Sequence, residues 1–205
     1  MPLHVPPAPA PALRSVLAAL SSPTAVRDPR TPALQSVQGP LSPENPLPVH
    51  VLDLLAPAAP AAGTSEADGR VPRTRLAGWR FLIHSGDRAV AAADTMLTAD
   101  GWTFSRFFEG PYLAATERAL RQAESLSTAY QPRLLSVPEL YMLTLWLHGD
   151  TGADASTGSP AAADILVPLA PAPPGIAAHR PHRVAELLPM IGLRLAPPPL
   201  LRTPA

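Results

Sequence analysis

The chain has 205 residues, 29 of them proline and none cysteine, and its 16 basic residues are balanced by 16 acidic ones. That length fits one domain with tails, and the lack of cysteine excludes a disulfide framework, a thiolate nucleophile, a zinc–cysteine site and an iron–sulfur cluster. Zero net charge argues against a nucleic-acid or anionic-membrane partner, which proteins hold through excess Lys and Arg.

Every basic residue is arginine, which with the abundance of Ala, Pro and Gly points to a GC-rich bacterial genome. Without lysine there is no Walker lysine and no Schiff base, so large enzyme families drop out. Residues 1–60 hold 14 prolines, residues 73–159 hold 3 and residues 160–205 hold 11, while all ten aromatic residues lie between Trp79 and Trp146. Regular structure and core material are therefore expected in the middle of the chain.

In chain order, residues 1–45 mix Pro and Ala without a sustained period and read as a disordered arm. Leu13, Val16, Leu17 and Leu20 are the exception, recurring at helical spacing. No positive charge precedes the apolar run Ala10 to Leu20 and Arg14 interrupts it, unlike a secretory signal, and no stretch approaches the roughly 18 apolar residues of a membrane span. The expected setting is cytoplasmic, without a membrane partner. Pro46 to Leu55 alternates as a strand, and Pro48 at its start suits a sheet edge. Residues 56–75 read as a flexible linker, whose Arg70, Arg73 and Arg75, with Arg80 beyond it, form a solvated face.

Trp79, Phe81 and Ile83 alternate against Arg80, Leu82 and His84 as in a half-buried strand. Turn residues Ser85 to Asp87 lead to an alanine-rich strand, Arg88 to Leu97, and Asp100-Gly101 turns the chain into a third strand. There Trp102, Phe104, Arg106 and Phe108 alternate with Thr103, Ser105 and Phe107. Gly110-Pro111 starts a helix to about Ser127, with Leu113, Thr116, Leu120 and Ala123 on the buried face and Glu117 four before Arg121. Leu134 to His148 reads as one strand, with a helix as the alternative because Ser136 and Glu139 fit a capping box. Residues 149–163 read as a flexible loop, Asp164 to Leu169 as an antiparallel partner strand, His182 to Ile191 as a short helix, and 196–205 as a disordered tail.

The expected architecture is an α+β domain over residues 46–195: a meandering antiparallel sheet of five or six strands with one main helix packed on one face. Trp79, Phe81, Trp102, Phe104 and Phe108 form a core stripe under that helix, which turns Phe107 to the other face. No catalytic signature emerges. His84, Ser85 and Asp87 are triad residue types, but neighbours at a hairpin tip cannot converge as a triad. The pairs His148 with Asp150, His50 with Asp53, and His179 with His182 fall short of the three or four ligands of a metal site. No cofactor is expected, and no residue is assigned to catalysis, cofactor or metal.

The leading functional expectation is a non-enzymatic interaction or accessory module. It would bind a protein or peptide through the sheet face around Phe107, Tyr141 and Leu143, or along an exposed strand edge. The alternative is a small-molecule binder or enzyme with a pocket between helix and sheet, using His84, Asp94, Glu109 or His148.

Overall fold

The computed structural model describes residues 3–53 and 73–195. The elements, in order, are α1 (Ala10–Leu20), α2 (Pro23–Val26), α3 (Pro32–Ser36), β1 (Ser42–Asp53), β2 (Arg73–Ser85), β3 (Arg88–Thr98), β4 (Gly101–Phe108), α4 (Pro111–Glu124), β5 (Gln131–Val137), β6 (Met142–His148), β7 (Ile165–Pro168), β8 (His182–Arg183) and α5 (Val184–Leu195). All eight strands form one sheet in the order β4-β3-β2-β1-β5-β6-β7-β8. Every pairing is antiparallel except β1 with β5, where Val49 to Val51 run parallel to Leu134 to Ser136. The α+β class holds, and the sheet is larger than the five or six strands expected.

The sheet consists of two four-stranded meanders laid side by side, each followed by a helix. The crossover through α4 carries the chain from the β4 edge back to the middle, where β5 joins β1. The main helix, expected from Pro111 to Ser127, ends at Glu124 and buries Ala115, Thr116, Ala119, Leu120 and Ala123. These pack on Leu47, Leu82, Leu134 and Leu145, which point to one face of the sheet.

The opposite face is covered in parts. Ala12, Val16 and Ala19 of α1 and Leu34 of α3 lie on Trp79, Phe81, Ala91 and Phe107. Val184, Leu187 and Ile191 of α5 lie on Leu135, Met142, Trp146 and Leu166. The arm expected to be disordered over 1–45 is therefore only partly so. It contains three short helices, and α1 supplies fully buried side chains. Pro11 sits in the first turn of α1, where a missing N–H costs nothing, so proline initiates this helix instead of preventing it.

Three further expectations are corrected. The first strand is interior, not an edge: β1 lies between β2 and β5, and Pro43, Pro46 and Pro48 precede the three residues that pair with β5. The segment Leu134 to His148 is neither one strand nor a helix but parts of two strands. They are joined by a 3-10 turn over Pro138–Leu140 with Tyr141 in the left-handed region at φ 49°. The aromatic stripe also changes sides. Arg106 pairs with Asp94 and Phe104 with Thr95, so Ser105 is an extra residue in β4. Such a bulge reverses side-chain parity beyond it. Phe107 thus joins Phe104 under α1, while Phe108 points to the α4 face.

The expected linker over residues 56–72 and the expected tail over 196–205 lie outside the described residues. Residues 73–75 belong to β2.

Candidate functional site

Of the three residues expected to form an interaction face, the structure exposes one. Phe107 is buried beneath α1, Leu143 is buried on the α4 side, and Tyr141 is 89% exposed at the tip between β5 and β6. Phe107 and Leu143 belong to different cores on opposite faces, so these residues do not share one open surface. The bulge at Ser105 and the left-handed turn at Tyr141 produce that outcome, and periodicity shows neither.

The residues with chemical potential are placed as follows. Asp94 accepts from Arg80 Nε at 2.8 Å and Nη2 at 3.1 Å, with Arg106 Nε at 3.9 Å, and Arg80 in turn lies over the Phe108 ring. Glu109 accepts the Leu34 N–H at 2.9 Å, so it anchors α3 and not the start of α4. His84 Nδ1 is 3.8 Å from Glu44. His148 pairs with Asp164 and not with Asp150, whose Oδ1 accepts the Gly152 N–H. His50 turns to the Ala155 carbonyl, and His182 faces Glu186 at 3.9 Å. Among the described residues, no group of three or more His, Asp or Glu is placed to hold a metal ion.

The polar interior is a connected array beneath residues 149–163, formed by β1, β5 and β6. Asp164 accepts from Trp146 Nε1 at 2.7 Å, His148 Nδ1 at 2.8 Å, Ala161 N at 2.9 Å and Gly149 N at 3.0 Å. Burial pushes the Asp164 carboxyl up, but the hydrogen bonds from His148, Gly149, Ala161 and Trp146 outweigh it, and the net direction is down. Arg133 is fully buried. Its Nε donates to Gln131 Oε1 at 2.7 Å, Nη1 to Thr157 O at 2.6 Å and Nη2 to Asp154 O at 3.1 Å, and its guanidinium lies 4.8 Å from the Trp146 ring centroid. Burial lowers the Arg133 pKa, opposed by the charges of Asp164, Asp154 and Asp150.

Gln131 Nε2 donates to Ala153 O at 2.9 Å and Thr151 O at 3.3 Å, and His50 Nε2 bonds Ala155 O at 2.9 Å. Three buried side chains thus hold five carbonyls of a segment expected to be a flexible loop. Burial brings the His50 pKa down to about 4, with the Arg133 charge adding to the effect and the Ala155 carbonyl opposing it. His50 is therefore neutral at pH 7.

This array is organised for holding a loop. The Asp164–His148 pair fixes the His148 ring with Nδ1–H on the carboxylate. Nucleophilic catalysis also needs a hydroxyl on the other ring nitrogen, and no hydroxyl hydrogen-bonds His148 among the described residues. Nothing in the composition singled out Arg133, Gln131 or Asp164. The available cue was a charged arginine beside the apolar pair Leu134 and Leu135.

A cleft of about 470 Å³ lies between Pro6–Pro9 and Thr151–Ser156, floored by Trp79 and Gln131. A smaller one of about 220 Å³ is lined by Val49, Gly78, Asp94, Thr95, Met96 and Arg106. Neither is lined by α4, so neither is the expected pocket between the main helix and the sheet.

The two sheet edges differ. At one end β8 has two residues and leads straight into α5. At the other, β4 has eight residues, GWTFSRFF, and among the described residues no strand pairs with its outer side. No family model matches this chain, and no curated protein or solved structure matches it, so the geometry alone carries the functional reading. No helix among the described residues is long and apolar enough to cross a membrane.

Proposed function

We propose that the protein is a non-enzymatic interaction module of the bacterial cytoplasm that binds a protein or peptide partner by strand addition along β4. The observation that carries this reading is the unpaired outer edge of β4, rich in aromatic residues and with Arg106 as its single charge. An edge strand presents a row of backbone donors and acceptors to an incoming strand, and folded proteins usually shield such edges with lysine, proline, a bulge, shortening or a covering helix. β4 has no lysine or proline, and its one irregularity, the bulge at Ser105, leaves Gly101 to Phe104 regular. Of the groups that could serve catalysis, Asp94 is engaged by Arg80, Glu109 by the Leu34 N–H and His148 by Asp164.

A photo-crosslinking residue at Thr103, on the exposed side of β4, tests the reading against one at Glu124 on α4. The expected result in cells making the protein is a discrete adduct from position 103 and none from 124. No adduct at 103, or the same adducts from both positions, overturns it.

A second reading is favoured by the larger cleft, whose volume falls within the usual range for small-ligand sites. Trp79, one of its lining residues, has an indole N–H buried without a hydrogen-bond partner, and a ligand whose carbonyl acceptor reached it would satisfy that donor. Thermal-shift screening of neutral metabolites tests this, and no compound raising the midpoint for wild type but not for Trp79→Phe sinks it.

A further inference from the structure

We propose that the partner at β4 is a second copy of this chain, the two β4 strands pairing antiparallel about a twofold axis to continue the sheet. The inference rests on the strand-addition reading above and names its occupant.

The argument comes from what is exposed around the edge, beyond the edge itself. Six large apolar side chains are exposed among the described residues, and three of them lie at this end of the molecule: Leu17 (44%), Met96 (45%) and Leu97 (62%). Leu17 is on α1, which packs over β4. Leu97 is paired across the strands with Trp102, so it shares the α1 face, whereas Met96 is paired with Thr103 and points to the other face. A bare peptide strand covers backbone groups and its immediate neighbours; it does not also cover a helix residue above the sheet and a methionine below it. A partner that covers all three must itself be a sheet edge with a layer above it and side chains below it. This chain has that shape, and a twofold axis sets each copy's α1 beside the other's.

Size and charge agree with this occupant. Eight residues of strand span about 27 Å, and a sheet with one helix layer is about 20 Å thick, which gives a footprint of roughly 550 Å² per copy and about 1,100 Å² in total. That lies near the lower limit of specific interfaces. The formal net charge of zero leaves no long-range repulsion between copies. β8, with two residues, leaves no second long edge among the described strands, so the assembly closes as a dimer and does not grow into a fibre.

Sedimentation equilibrium of the full chain tests the proposal. The expected mass is twice the 21.5 kDa of one chain. Leu17→Glu with Leu97→Lys, two exposed positions, is expected to halve that mass while the circular dichroism spectrum is unchanged. Tyr141→Ser and Leu193→Ser, exposed apolar residues elsewhere, are expected to leave it at the dimer value. A chain that stays monomeric at all concentrations overturns the proposal, as does a dimer that the Leu17/Leu97 variant leaves intact. If the chain is monomeric but crosslinking from Thr103 captures a different protein, strand addition stands and self-pairing falls; no adduct at all removes both.

Discussion

The Val16→Ala substitution separates a docked α1 from a loose proline-rich arm by the sign of its effect. Val16 is fully buried on the sheet face that carries Trp79, Phe81 and Phe107. The change deletes two buried methyl-sized groups, worth about 1.6 kcal/mol at roughly 0.8 kcal/mol each. The residual cavity raises the loss to about 2 kcal/mol. Alanine is the better helix former by about 0.5 kcal/mol, leaving a net destabilisation of about 1.5 kcal/mol. In a chain of this size that lowers the melting midpoint by about 3–6 °C. A helix that did not touch the sheet would feel only the propensity term, and the substitution would leave the midpoint unchanged or raise it. Thermal melts followed by circular dichroism decide between them, with Arg14→Ala at an exposed position of the same helix as the control. A Val16→Ala midpoint equal to or above wild type refutes the docked helix.

Other outcomes follow from the same packing. His50 has its ordinary pKa of 6.5 when unfolded and about 4 when folded, so the unfolded chain binds the extra proton between those values. Stability is complete above pH 6.5 and falls by about 3 kcal/mol as pH drops toward 4; denaturant midpoints at pH 7 and pH 4.5 should differ less in His50→Gln, and an equal difference excludes His50 as the cause. Arg133→Met leaves Gln131 Oε1 and the carbonyls of Asp154 and Thr157 without their donor, at a cost of about 3 kcal/mol. Amide exchange should quicken selectively in residues 149–163, and unchanged exchange there shows that Arg133 does not hold the loop. Gly78→Ala places a Cβ against the Thr95 carbonyl oxygen across the β2–β3 ladder, which should cost about 2 kcal/mol or more. Gly192→Ala in α5, with open space at that position, should gain about 0.5–1 kcal/mol, and melting the two variants side by side checks both signs.

Periodicity located most elements because alternation and the 3.6-residue repeat reflect burial directly. The strands from Trp79 and Trp102, the helix from Pro111 and the partner strand near Asp164 all lie where their patterns place them. The errors share one physical origin. A single residue with unusual backbone geometry, such as the extra Ser105 or the left-handed Tyr141, reverses faces or divides a run while leaving composition unchanged. Asn45, the one asparagine, has φ 46° at the register shift between Glu44 and Leu47 and is a case where residue type does signal the irregularity. The polar array was illegible for another reason. Gln131 and Arg133 lie two apart in β5, but His50 is in β1 and Asp164 lies beyond β6, and the parallel pairing of β1 with β5 is what brings His50 beside the first two.

The arrangement of the two meanders makes the two sheet edges unequal. β1 and β5 run parallel at the centre and each meander proceeds outward, so β4 and β8 occupy equivalent places at opposite ends, with α4 and α5 on opposite faces. In the second half the outer strand is cut to two residues and the chain turns immediately into α5, which packs on the sheet face. In the first half the corresponding strand keeps eight residues and its aromatic content, and α1 is laid over it without covering Leu97 or its own Leu17. An open, aromatic-rich edge is an aggregation hazard that folding alone does not require. Here the same architecture shortens one edge and leaves the equivalent one long, and among the described residues three of the six exposed large apolar side chains lie at the long edge, Leu17 on α1 and Met96 and Leu97 on β3 beside it. A strand-pairing partner accounts for both features at once, whereas the buried polar array accounts for neither.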